Sequence, residues 1–491
     1  MVARSLMLQG TGSDVGKSLL VAGLCRAAKK NGMVVRPFKP QNMSNNSAIA
    51  VGNGEVGRAQ ALQAKACGIE PTVDMNPILL KPETDNGAQI VIQGRMHRRI
   101  NAREYQQLKA KLLPQVLDSF EKIREAADLV LIEGAGSTAE INLRSNDIAN
   151  MGFALAANVP VVLVGDIDRG GVIANIVGTK TVLQAAEARQ IKGFLINKFR
   201  GDISLFSDGL WEIERRTNWK GLGVVPWFGS ANILPAEDAV SLTTMNTPGD
   251  KKIKISVPRL SRIANFDDLD PLRIEPDVNL SIVEPGNAIT CDTDLIIIPG
   301  SKSTISDLAF LREQGWDIDI KSHVRRGGSV LGLCGGYQML GRTISDPQGI
   351  EGNAVTVKGL ELLNVKTELT SKKALKKITG FDLKHGERVT GYEIHIGRTT
   401  GPDCNSPVIC IDKMDGQNRM DGASSPDGLV TGTYVHGLFV EDKFRNSVLK
   451  TFGICVNEPA SFNQKIEDTL DDLADHLRKS IDVDRLFDLA R

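Results

Sequence analysis

Aromatic residues are scarce in this chain: Phe, Trp and Tyr make up 5% of its 491 residues. A platform of stacked rings for single-stranded nucleic acid is therefore not expected. Net charge is missing too, with 59 Lys plus Arg against 59 Asp plus Glu, so no broad positive field gathers nucleic acid or an anionic membrane. The longest uncharged run, Met151 to Gly165, is too short to span a bilayer and is interrupted by Asn158 and Pro160. It reads as a helix end followed by a buried strand. No CxxC pair occurs among the seven cysteines, at 25, 67, 291, 334, 404, 410 and 455, and their odd number leaves one over in any pairing. That fits a reducing cytoplasm, and the length of the chain excludes a disulfide-stapled miniprotein. No apolar segment of signal-peptide length precedes the polar stretch at Gln9-Gly10. Small molecules are the partners left.

Glycine is abundant, at 48 positions. A chain of this length predicts two or three domains, each with its own core. Up to about residue 230, apolar β-rich runs alternate with helical stretches: Ser5–Gln9, Met33–Phe38, Gln89–Gln93, Asp128–Glu133, Pro160–Gly165, Gly193–Asn197 and Gly221–Pro226. That alternation predicts a largely parallel sheet covered by helices on both faces. A Pro- and Thr-bearing linker is expected over 231–251. A second α/β domain is expected over 252–450, with strands at Lys252–Val257, Asn279–Val283, Asp294–Pro299, Ser329–Cys334, Leu362–Leu369, Val408–Ile411 and Leu429–Tyr434 in a mixed sheet. The tail, 451–491, is expected to be helical, with Ile466, Leu470, Leu473, Leu477 and Ile481 on one face.

The first strand ends in Gln9-Gly10-Thr11-Gly12-Ser13-Asp14-Val15-Gly16-Lys17-Ser18, and a helix follows from Leu19. Such a loop can turn the N–H groups of Gly12 to Gly16 toward a polyphosphate, with Lys17 reaching the β and γ phosphates and Ser18 ligating Mg²⁺. It has one residue more between its glycines than the strict P-loop pattern. Glu133, at the end of the strand at 128–132, is the candidate carboxylate for the metal, against an ordinary strand-end acid facing water. Asp166 and Asp168 follow the next strand and suit metal or substrate positioning, or helix capping. Asn197, one strand further, could place an amide against a purine. Lys39-Pro40-Gln41-Asn42-Met43-Ser44-Asn45-Asn46 is dense in amides and hydroxyls; Gln41, Asn42, Ser44 and Asn45 could bind a large polar ligand, or form only turns.

In the second half, Ser329–Leu333 reads as a buried strand that ends in Cys334-Gly335-Gly336 and enters a helix. Glycines allow a strained elbow there, while the helix N-terminus lowers a thiol pKa and offers N–H groups to an oxyanion. Cys334 is thus the candidate nucleophile. Two histidines compete as its base, His436 in Tyr434-Val435-His436-Gly437 and His395 in Tyr392-Glu393-Ile394-His395. His436 is favoured; His395 is a substrate-side or structural residue. His97, His323, His385 and His476 lie among charged residues and read as solvated. Amides near Gly300, in Pro299-Gly300-Ser301-Lys302, and Gly335 are the expected oxyanion donors.

Together these stretches, with Asp166-Ile167-Asp168-Arg169-Gly170-Gly171 and Asn265-Phe266-Asp267-Asp268-Leu269-Asp270-Pro271-Leu272, resemble the glutamine-dependent cobyric acid synthases of the cobalamin pathway over essentially the whole chain. The N-terminal half resembles a dethiobiotin-synthetase type of P-loop domain. The C-terminal half is similar to a class I glutamine amidotransferase domain of flavodoxin-like α/β type. The resemblance implies ATP, Mg²⁺, glutamine and a corrinoid, with four peripheral carboxylates (b, d, e, g) of adenosylcobyrinic acid a,c-diamide amidated. Many class I glutaminases carry His-x-Glu, whereas this chain has His436-Gly437-Leu438, so a Cys-His dyad is expected and what orients His436 is open. The metal-binding Asp of dethiobiotin synthetase is replaced near Gln41-Asn42. Alternatives are a cobyrinic acid a,c-diamide synthase and a partitioning-type P-loop ATPase with a degenerate partner domain.

Overall fold

The computed structural model describes residues 3–83, 87–237, 252–413, 417–454 and 461–491. Most of the expected linker, 238–251, and Cys455 lie outside them. The chain forms two compact units, one of Met1–Pro235 with Ile466–Arg491 and one of Ala236–Lys465.

The first unit is built on six parallel strands in the order Lys220–Pro226, Ile191–Phe199, Val161–Asp166, Arg4–Gly10, Leu129–Glu133, Val35–Phe38. Every residue of Val161–Asp166 and Leu129–Glu133 is buried, as expected of strands covered on both faces. The few aromatics are concentrated: Phe38, Phe120 and Phe153 meet with ring centroids 5.2–5.6 Å apart. Chain order reverses beside Arg4–Gly10, the central strand, so its C-terminal end opens where such sheets bind ligands.

Two expectations fail in this unit. The strand near Gln89 spans Gly87–Ile92 and leaves the parallel sheet; it joins Ile78–Pro82 and Arg95–Asn101 in a separate, mostly antiparallel sheet. The amide-rich segment is no loop throughout, because Gln41–Met43 is a strand paired parallel to Ile78–Pro82. Its polar side chains hid a strand whose partners are distant in sequence.

The tail returns to this unit. Helix Phe462–Ser480 buries Ile466, Leu470, Leu473 and Leu477, and Leu473 and Leu477 pack on Gly23 of helix Lys17–Lys30, where a Cβ would lie 2.6 Å from Leu477. Arg26 of that helix is buried and pairs with Glu467 and Asp471.

In the second unit the expected mixed sheet divides into two large sheets among the described residues, beside a short pair of Ile263–Ala264 with Gly300–Ser301. One is almost wholly parallel: Val278–Val283, Ile253–Pro258, Leu295–Ile298, Ser329–Leu333, Val430–Thr433, then Ala423–Ser424 antiparallel at the edge. The other is mainly antiparallel and is dominated by Lys366–Asp382 against Arg388–Thr400. The strand expected to begin at Leu362 begins at Lys366. Val435–His436 pairs with Arg388–Thr400 and so ties the antiparallel sheet to the end of Val430–Thr433.

Candidate functional sites

In the first unit, Asp14 and Gly16 adopt left-handed φ of 62° and 92°, and helix Lys17–Lys30 starts at once. Asn197 donates to the Val15 carbonyl at 2.8 Å, while Gly16 leaves room for the Asn197 amide where a Cβ would collide with it. The loop is braced from the next strand end, with Ser137 donating to the Thr11 carbonyl at 3.0 Å. Lys17 is buried and its ammonium donates to the carbonyls of Gly12 and Gly136, at 3.0 and 3.1 Å. This places a fixed positive charge inside a curl of backbone.

Glu133 is 1% exposed. One oxygen accepts from Ser18 at 2.7 Å and from Lys39 at 2.8 Å, and the other accepts from Gln63 at 2.7 Å. Burial alone would raise this carboxyl, but the Lys39 ammonium and these hydrogen bonds hold it below the usual carboxylate range. Lys39 and Gln63 are site residues that sequence reasoning did not single out; the signal for Lys39 was its place at the end of the second strand. Among the described residues no three His, Cys, Asp or Glu side chains cluster at metal-binding distance. One hydroxyl and one carboxylate nevertheless suit Mg²⁺, which keeps several waters and takes its other oxygens from phosphates.

Apart from Asn45, the remaining candidates of this unit are occupied within the protein. Asp166 pairs with Lys198 at 2.9 Å and caps the Asp168 amide at 2.8 Å, while Asp168 pairs with Arg200 at 2.7 Å. Asp14 pairs with Arg169 at 3.0 Å. Gln41 accepts from Tyr105 at 2.6 Å, Asn42 donates to Gln60 at 2.9 Å, and Ser44 closes a turn with Asn46. The Asn45 side-chain oxygen Oδ1 is buried without a hydrogen-bond partner.

In the second unit, Cys334 ends strand Ser329–Leu333 at φ 51° and ψ −104°, and helix Gly335–Leu340 begins at the next residue. A non-glycine residue in that region is strained, and strain of this kind gathers at functional sites. Gly336 makes the elbow feasible, since any Cβ there would strike the Ile298 backbone. The thiol lies 3.5 Å from the Ile394 carbonyl, and the Cys334 amide is tied to the Thr433 carbonyl at 2.8 Å. His436 follows shortly after that Thr433 strand end and stands within electrostatic reach of Cys334. Its imidazole is buried, which lowers its pKa, but Asp268 and Cys334 outweigh burial and push it up to about 10. Nδ1 lies 2.7 Å from Asp268 Oδ2, and the other Asp268 oxygen accepts the Gly437 amide at 2.6 Å.

Gly300 and Gly335 converge on this pair. A Cβ on Gly300 would sit 3.1 Å from the His436 ring, and one on Gly335 would sit 2.9 Å from the Ser301 nitrogen. His395 stacks on Tyr434 with centroids 3.8 Å apart and has Glu393 3.9 Å away. Gln338 donates to the Tyr434 hydroxyl at 3.1 Å. Of the histidines expected to be solvated, His97 is exposed. His323 is not: it is buried against Gly328, where no side chain would fit. His385 is tied to Asp382 at 2.9 Å and His476 to the Pro226 carbonyl at 3.0 Å.

Residues 6–241 match the CobQ/CobB/MinD/ParA nucleotide binding domain family, and residues 254–444 match the CobB/CobQ-like glutamine amidotransferase domain family. A protein of Brucella suis named cobyric acid synthase is 55% identical over 490 residues, covering 100% of both chains. One of the same name from Paracoccus denitrificans is 58% identical over 487 residues, covering 99% of this chain and all of its own. Another, from a Jannaschia species, is 54% identical over 488 residues with the same coverage.

Proposed function

The chain belongs to the cobyric acid synthase family, a family of glutamine-dependent amidoligases, and from that premise we propose how its two units divide the reaction. Cys334 attacks the side-chain amide carbon of glutamine. The C–N bond breaks, the His436 imidazolium gives its proton to the departing ammonia, and a thioester remains on sulfur. Water then attacks the thioester, its proton goes to His436, and glutamate leaves. Amides near Gly300 and Gly335 hold the oxyanion in both halves.

In the first unit, an oxygen of a substrate carboxylate attacks the γ-phosphorus of ATP, and ADP leaves with the electron pair of the broken P–O bond. Lys17 stabilises charge on the transferring phosphoryl group. Ammonia then attacks the acyl carbon and phosphate departs, leaving an amide. Activation is needed because a free carboxylate is a poor electrophile. Ser18 and Glu133 would hold Mg²⁺, which neutralises phosphate charge when bound.

The observation that carries this reading is that one chain holds both a strained Cys334 beside His436 and a phosphate-type loop closed by Lys17, Ser18 and Glu133. The acceptor is adenosylcobyrinic acid a,c-diamide, amidated at its b, d, e and g carboxylates. The names of the full-length relatives favour this acceptor over cobyrinic acid, and the amidotransferase domain disfavours a partitioning ATPase. The six free cysteines among the described residues fit a reducing cytoplasm, and no helix among those residues is long and apolar enough to cross a membrane. Incubation with ATP, Mg²⁺, glutamine and the corrinoid a,c-diamide, followed by mass spectrometry, is expected to show four successive amidations. No amidation of the diamide, with cobyrinic acid accepted instead, would overturn the assignment.

A further inference from the structure

In this chain the Glu that orients the histidine of many class I glutaminases is replaced by Leu438, a buried side chain that cannot accept a proton. A carboxylate nevertheless stands at the ring nitrogen. It comes from the opposite direction in sequence, 168 residues upstream, on the turn Phe266–Leu269. We propose that Asp268 is the positioning residue that sets the tautomer, orientation and charge of His436, making the centre a Cys334-His436-Asp268 triad. The proposal rests on reading Cys334 and His436 as the glutaminase pair.

The geometry restricts Asp268 on both oxygens. Oδ2 lies 2.7 Å from Nδ1 of the ring, and Oδ1 accepts the Gly437 amide at 2.6 Å, so the carboxylate plane is locked to the backbone that carries His436. Both side chains are buried, 4% and 1% exposed. With Nδ1 committed to the carboxylate, Nε2 is the nitrogen left to exchange a proton with Cys334, as in other nucleophile-histidine-carboxylate sets. The ring is fixed elsewhere too. Tyr392 stacks on it at 5.3 Å, with its hydroxyl 3.5 Å from Asp267, and the Asn265 amide lies 3.3 Å from Nε2. The titratable groups around the imidazole are therefore Asp267 and Asp268 from the turn, Cys334 from the elbow and Tyr392 from the neighbouring strand. Of these, Asp268 is the carboxylate in direct contact with the ring. Its charge supports an imidazolium at neutral pH, the cation that stands beside the Cys334 sulfur.

The test is the full chain with Asp268→Asn, which keeps size and removes charge. Glutamate release from glutamine is expected to fall roughly 10³–10⁴-fold, the scale of losing an orienting carboxylate. Alkylation of Cys334 by iodoacetamide, followed by peptide mass spectrometry, is expected to need a higher pH than in the wild type. A purely structural role would leave that pH profile in place. Unchanged glutamate release and an unchanged alkylation profile in a variant that melts like the wild type would overturn the proposal. Should the variant not fold, the wild type decides: a far-downfield imidazole proton in its NMR spectrum, lost in His436→Gln, supports the triad, and its absence overturns it. A wild type that neither releases glutamate nor alkylates at Cys334 would instead contradict the glutaminase reading itself.

Discussion

Two buried carboxylates show how the same side chain takes different parts. Glu133 is surrounded by Ser18, Lys39 and Gln63 at the ATP-type loop, so its charge serves that loop. Glu393, beside His395, is instead held at about 2: burial would raise it, but His395, Arg419 and Lys376 outweigh that. A carboxyl depressed from 4.5 to about 2 contributes stability that is complete above about pH 4.5 and is lost as pH falls through 2. Glu393→Gln is therefore expected to melt below the wild type at neutral pH, and the gap should close on acidification. A gap that widens as pH falls from 4.5 toward 2 would contradict this role of Glu393.

At the scale of elements, the returning tail helix has the clearest energetic consequence. Leu473 is 1% exposed and packs on Gly23 with Leu477, so Leu473→Ala opens a cavity that a close helix contact cannot refill. The expected cost is about 2–5 kcal/mol, seen as a lower denaturant midpoint; a change below about 0.5 kcal/mol would mean that the helix does not dock as described. This helix was legible in the sequence because a 3.6-residue period needs no partner to be seen. The parallel strands were legible for a related reason, their continuous apolar runs. Gln41–Met43 was not, since its residues are polar and its pairing with Ile78–Pro82 is long-range. The elbow at Cys334 and the loop at Lys17 could be read because local glycines announce both. Asp268 could be read only as part of a resembling stretch, since its role depends on a contact across 168 residues.

The whole molecule couples two chemistries, release of ammonia and its capture, through a chain with no net charge to attract a polymer. The central claim is that glutamine's amide nitrogen, freed at Cys334, is the nitrogen built into the product. The direct measurement supplies amide-¹⁵N glutamine together with unlabelled ammonium and reads the isotope in the corrinoid amides, for the wild type and for Cys334→Ser. The expected result is ¹⁵N in the wild-type product and unlabelled amides from the variant at high ammonium. Label entering the product of Cys334→Ser, or none entering that of the wild type, would contradict it.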